Sequence, residues 1–216
     1  MSRLCPFALL VACMGLSGAA PSPAAGVDRV VNVAMEDQFK NRHETLRYRG
    51  DVVVLVYAER KGAEAALELG RRLHVRFHPA AAQAPATEWS RQPVAPPAGW
   101  PAGLAPPDVH VIPVACLPEV PKALEAVAKS RFRKDSPFVS VWLDFEDTMR
   151  QRFGIVPDEP NVVILDTQGR PQVVTSGHLD ETRFLEVVSV IDQLRIQAAR
   201  DRMAAVPAAG ASRAAR

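Results

Sequence analysis

The run "VVVLVY" at residues 52–57 constrains this chain more than any other stretch. Its uninterrupted apolar character leaves no polar face. That predicts a strand covered on both sides, the central position in a sheet flanked by helices. A charged turn, "AERKG", follows it, and residues 63–74 then place Ala66, Leu67, Gly70 and Leu73 on one helical stripe. Gly70 weakens a helix, a tolerable cost where the helix must approach a sheet closely. Strand, turn and helix form one unit of a parallel sheet.

The alternation resumes further along. Residues 109–115 predict a strand, and residues 120–132 a helix with Val120, Leu124, Val127 and Phe132 inward. Residues 138–143 predict another strand, after which Asp144 is placed to cap a helix over 145–153 that stops at Gly154. Residues 161–165 and 172–175 flank the turn signal "DTQGR" as a hairpin. Asp180 then caps a helix running to about residue 197, with Phe184, Val187, Val188, Ile191 and Leu194 inward. A short strand at residues 30–35 precedes the central one. This order predicts an α/β fold, a central mixed β-sheet with helices on both faces, over residues 27–197. No internal repeat stands out, and the Ala/Arg-rich residues 198–216 have little to bury and read as a disordered tail.

Between the first helix and the strand at 109, residues 79–108 are dominated by Pro and Ala and follow neither period. They read as a polyproline-like excursion over the surface, with Trp89 and Trp100 as its anchors. A tolerated insertion is the simpler reading, a partner-docking arm the other.

The N-terminus has the layout of a secretory signal over residues 1–25: Arg3, an apolar stretch over 4–16, then small residues that suit cleavage after Ala20 or Ala25. "LVAC" at residues 10–13 resembles a lipobox, which would make Cys13 a lipid-attachment site and the only membrane contact. The expected location is therefore the periplasm or cell envelope of a bacterium. Cleavage would leave Cys116 as the sole cysteine of the soluble part, unable to form an internal disulfide.

Charge and motifs exclude several function classes. A formal net charge of +2 argues against a nucleic-acid binder. The chain has no phosphate-binding loop, dinucleotide fingerprint or nucleophile elbow, so no cofactor is expected. His74 and His78 have a helical metal-ligand spacing, but no nearby carboxylate or cysteine completes a set, so no metal is expected. Arg49, Gly50 and Asp51 read as the turn that launches the central strand. Asp144, Glu146 and Asp147 read as acids complementing the start of a helix.

Three segments carry a family resemblance. "DQFKNRHETLRYRGDVVVLVY", "YAERKGAE" and "FGIVPDEPNVVILDTQGR" together resemble the thioredoxin-like superfamily, in its peroxiredoxin-like or redoxin (alkyl hydroperoxide reductase/thiol-specific antioxidant) branch. By this resemblance Lys61 and Glu64 occupy the two cysteine positions, Pro160 is the family's cis proline and Glu159 precedes it. The resemblance implies a groove with Arg60, Lys61, Gly62, Ala63 and Glu64 on one wall and Glu159 and Pro160 on the other, suited to an extended peptide. Thiol chemistry in such a site needs a thiolate at the helix N-terminus. No cysteine lies between residues 52 and 110. The expectation is a non-catalytic binding or scaffold module whose partner is a protein or extended peptide. The alternative is a one-cysteine thiol oxidoreductase or peroxidase-like antioxidant protein using Cys116, although free cysteines usually behave as small buried hydrophobes.

Overall fold

The computed structural model describes residues 22–23 and 29–205. The expected cleavage positions, Cys13 and residues 206–216 lie outside the described residues. The strands are β1 (Ser22–Pro23), β2 (Ala34–Asp37), β3 (Arg42–Glu44), β4 (Val52–Ala58), β5 (Val109–Cys116), β6 (Trp142–Asp144), β7 (Asn161–Leu165) and β8 (Pro171–Ser176). The helices are α1 (Ala63–Phe77), α2 (Glu125–Asp135), α3 (Thr148–Phe153) and α4 (Glu181–Ala205). The eight strands among the described residues form one sheet in the order β1-β8-β7-β4-β5-β6-β2-β3. Strand β4 runs parallel to β5 and antiparallel to β7.

The central apolar run behaves as its composition dictates: every residue of β4 is buried. Its alternate side chains divide the core. Val52, Val54 and Val56 pack with Leu69, Leu73 and Phe77 of α1 and with Phe184, Val187, Val188 and Ile191 of α4. Val53, Leu55 and Tyr57 join Val33, Ile112, Trp142, Met149 and Val163 on the opposite face. Each fully buried aliphatic side chain there contributes roughly 1.5–3 kcal/mol before entropy is subtracted.

Four sequence expectations need correction. Leu67 is 66% exposed and Leu69 takes the inward position, because the buried phase of α1 runs through Ala66, Leu69, Leu73 and Phe77. Leu124 and Val127 are also exposed, and no residue of α2 is buried. That helix is tied to the body by polar contacts instead, Lys129 Nζ to Glu36 at 2.8 Å and Arg133 Nη1 to the Gln38 carbonyl at 3.0 Å. Strand β6 is short because Gln38 claims the preceding segment. Its side-chain amide donates to the carbonyls of Ser136 and Val139 and accepts from Val141 N–H, each at 2.8 Å. Finally, α4 continues to Ala205, burying Ala198 and Ala199, and Arg202 donates to the Gly50 carbonyl. The expected tail therefore begins inside a helix.

The Pro/Ala excursion is a docked strap. It contains two single-turn helices, Pro79–Ala82 and Trp89–Arg91. Ala95 N–H donates to the Phe77 carbonyl at 2.7 Å, and Val94 packs on the core. Arg195, 1% exposed, donates through Nε to the Pro107 carbonyl at 2.9 Å and through Nη2 to that of Ala95 at 2.7 Å. Trp89 anchors on α1 as expected, whereas Trp100 bonds within the strap, its indole N–H donating to the Leu104 carbonyl. A tandem repeat escaped the sequence reading. "PAGW" at 97–100 and "PAGL" at 101–104 form successive turns closed at 3.1 and 3.4 Å, with Gly99 at φ +74° and Gly103 at φ +82°.

Candidate binding site

The candidate site forms where β4 hands over to α1. Because β4 and β7 are neighbours, with Tyr57 opposite Asn161, the turn after β4 meets the loop before β7. Asn161 shapes that loop. Its Oδ1 accepts from Val156 N–H at 2.8 Å, and its Nδ2 donates to the carbonyls of Val156 and Glu159 at 3.2 and 2.8 Å. Asp158, at φ +63°, turns the chain toward Lys61. Lys61 Nζ and the Asp158 carboxylate pair at 2.9 Å, both side chains largely exposed.

The structure brings Lys61, Gly62 and Glu159 side by side. A β-carbon on Gly62 would stand 2.6 Å from the Glu159 carbonyl oxygen, so the two walls touch at this point. Arg60, Ala63 and Glu64 are exposed on the turn and the first turn of α1, and Pro160 is buried. The cis expectation is corrected: there is no cis peptide bond among the described residues, so Pro160 follows Glu159 in trans. Here the asparagine clasp sets the loop, and the Pro160 carbonyl accepts from Gly177 N–H at 2.9 Å.

Sequence reasoning missed a second tie. Arg150 of α3 pairs with Glu59 in the turn and with Asp147 at 3.1 Å, linking α3 to the same edge of the sheet. The helix expected over 145–153 starts only at Thr148, with Asp147 at its N-cap position, and Asp144 reaches its first turn by accepting from Thr148 N–H at 2.9 Å and Met149 N–H at 2.8 Å. Asp147 turns the chain at φ +58° just before α3.

Cys116 lies at the end of β5 opposite Asp144, 4% exposed. Burial, followed by the negative charges of Asp144, Glu59 and Asp147, pushes its thiol up to about 12. Those are the surroundings of an inert thiol rather than a nucleophile. Tyr57 beside it donates to the Gly154 carbonyl at 2.8 Å, and burial raises its phenol as well.

The remaining sequence candidates are structural. Gly50 sits at φ +103° and donates to the Thr167 carbonyl, as a turn launching β4 requires. Asp51 accepts from Asp108 N–H at 2.8 Å and faces His110 at 3.0 Å. His74 and His78 stack on each other, and no cluster able to hold a metal exists among the described residues. Among the described residues no helix is long and apolar enough to cross a membrane.

No protein-family model matches the chain, and no curated protein matches it by sequence. Solved structures do match. A secreted thiol-disulfide isomerase from Corynebacterium glutamicum superposes at TM-score 0.52 and 15% identity, covering 84% of this chain and 95% of its own. An exposed lipoprotein thioredoxin from Streptococcus pneumoniae matches at TM-score 0.47 and 14% identity, over 74% of this chain and 99% of its own. A peroxiredoxin-like protein from Aquifex aeolicus matches at TM-score 0.44 and 15% identity, over 77% and 85%. At such identities likeness extends to the fold. With its mixed sheet, covering helices and C. glutamicum counterpart, the chain has a thioredoxin-like α/β fold.

Proposed function

We propose that this is an exported, non-catalytic thioredoxin-like module that binds a protein or extended peptide at the turn after β4. The observation that carries the reading is the chemistry of that turn. Where thiol exchange would need sulfur, the helix start presents Lys61 and Glu64, and Lys61 is engaged across the junction by Asp158. A burial-raised thiol at Cys116 argues against the one-cysteine alternative. Export rests on the charged, apolar and small-residue order of residues 1–25.

Two measurements test this. Purified protein should not accelerate the reduction of insulin disulfides by dithiothreitol, whereas cysteine-free extended peptides on an array should bind. Lys61→Glu should weaken that binding, and pairing it with Asp158→Lys should restore the ion pair. Thiol turnover that disappears in Cys116→Ala would replace this reading with the enzymatic one. Peptide binding indifferent to Lys61→Glu would remove the turn from it.

A further inference from the structure

Residues 79–108 leave the body at the end of α1 and return at the start of β5, and histidine contacts hold this strap at its start, middle and end. His78 closes α1, and its Nε2 lies 2.9 Å from Asp108 Oδ1 where the strap returns. His74, one helical turn earlier, is sandwiched between two rings. His78 stacks on it at 4.3 Å between centroids and Trp89 at 3.9 Å. His74 Nε2 also lies 3.0 Å from the Trp89 carbonyl. Both histidines are buried, at 6% and 4% exposure.

We propose that this cluster is an acid-operated latch, in which protonation of His74 frees residues 79–94 of the strap from α1. The proton inventory supports it. A carbonyl only accepts, so His74 Nε2 carries the hydrogen that meets Trp89. A further proton must go to Nδ1 and make the ring cationic. His78 is fixed against His74 by contacts on both of its nitrogens, Nδ1 lying 3.2 Å from the His74 carbonyl and Nε2 2.9 Å from Asp108 Oδ1. Charging His74 then places a cation against the stacked His78 ring in a buried site, where the charge is poorly solvated and weakly screened.

The surroundings favour a neutral His74. Burial is the largest influence and His78 the next. The Trp89 carbonyl and Asp108 pull the other way, and the balance is a pKa of about 4 against the usual 6.5. Asp108 stays ionised through that range: burial works to raise its carboxyl, but the bonds from His78 and Val109 N–H hold it below its ordinary value. The other charges nearby are Asp51 with His110 at the strand starts and Asp192 with Arg195 on α4. Arg195 keeps its bonds to Ala95 and Pro107 whatever the state of His74, which confines the opening to residues 79–94.

The sign follows from linkage. A histidine whose folded pKa is lowered contributes fully above the unfolded value of 6.5, and the contribution drains away as pH falls toward about 4. Between about pH 7 and pH 5 the closed strap should lose about twentyfold in its equilibrium over the open one.

Fluorine NMR of the full chain labelled with 5-fluorotryptophan reads this directly, with Trp89 assigned from Trp89→Phe. The Trp89 resonance should shift between pH 7 and pH 4.5 while that of Trp100, which bonds to the Leu104 carbonyl outside residues 79–94, stays in place. The midpoint should coincide with the titration of the His74 ring protons followed in the same sample. His74→Phe keeps an aromatic ring in the stack and should make the Trp89 signal independent of pH. The latch is wrong if Trp89 does not move, if Trp89 and Trp100 move together, if the two midpoints disagree, or if the shift survives in His74→Phe.

Discussion

Gly62 and Glu159 meet backbone to backbone: a β-carbon at position 62 would stand 2.6 Å from the Glu159 carbonyl oxygen and 2.8 Å from its carbon. The helical dihedrals at Gly62, φ −81° and ψ −4°, would suit any residue, so the lack of a side chain matters for space alone. Gly62→Ala should therefore destabilise the fold by about 1–3 kcal/mol, since backbone must shift to admit the methyl. Lys61→Ala, which removes an exposed ion pair, should cost no more than about 1 kcal/mol. Urea denaturation of both variants checks the ordering, and equal losses would contradict the close approach.

Cys116 is expected to resist chemistry. Its buried, charge-disfavoured thiol should react with an aromatic disulfide reagent at pH 7.5 only as fast as the protein unfolds, and at once in guanidinium. Cys116→Ala should leave peptide binding unchanged while costing about 1 kcal/mol of stability.

Arg195 holds the strap from beneath. Arg195→Met keeps much of the apolar stem but leaves the Ala95 and Pro107 carbonyls without their donor. The expected loss is roughly 2–4 kcal/mol. Limited proteolysis should then cut first within residues 79–107, at a rate well above wild type. Cleavage elsewhere would show that the strap is held by other contacts.

Asp37 should make stability depend on acid. Burial works to raise its carboxyl, but His43, Asn41 and Ser140 together hold it below its ordinary value of 3.8. A lowered carboxylate stabilises the fold above 3.8, and that contribution is lost as pH falls through the folded value. Asp37→Asn should cost roughly 2–4 kcal/mol at pH 7, because an amide cannot accept from every donor now aimed at it. It should also flatten the fall in urea midpoint between about pH 5 and pH 3.

The parts of this fold that were legible in the sequence are those where one residue type serves both local and tertiary demands. β4 could be read because an apolar run has one stable destination, and the β7–β8 hairpin because "DTQGR" supplies its turn. The phase of α1 was misread because Leu67 and Leu69 both suit a helix, and only the sheet beneath selects Leu69. α2 misled for the opposite reason: a spacing that normally marks a core face stays exposed because lysine and arginine dock the helix. No local pattern marks Arg195, because its partners lie 88 and 100 residues away along the chain.

The sequence by itself determined the α/β alternation, the central strand and the absence of sulfur from the turn after it, because side-chain chemistry and period act over a few residues. Only the tertiary structure decided that this turn touches the loop at Glu159, that Asn161 shapes that loop around a trans proline, that Cys116 is sealed, and that the strap rests on stacked histidines. Each depends on groups distant in the chain meeting within a few ångströms, and local pattern carries no record of such meetings.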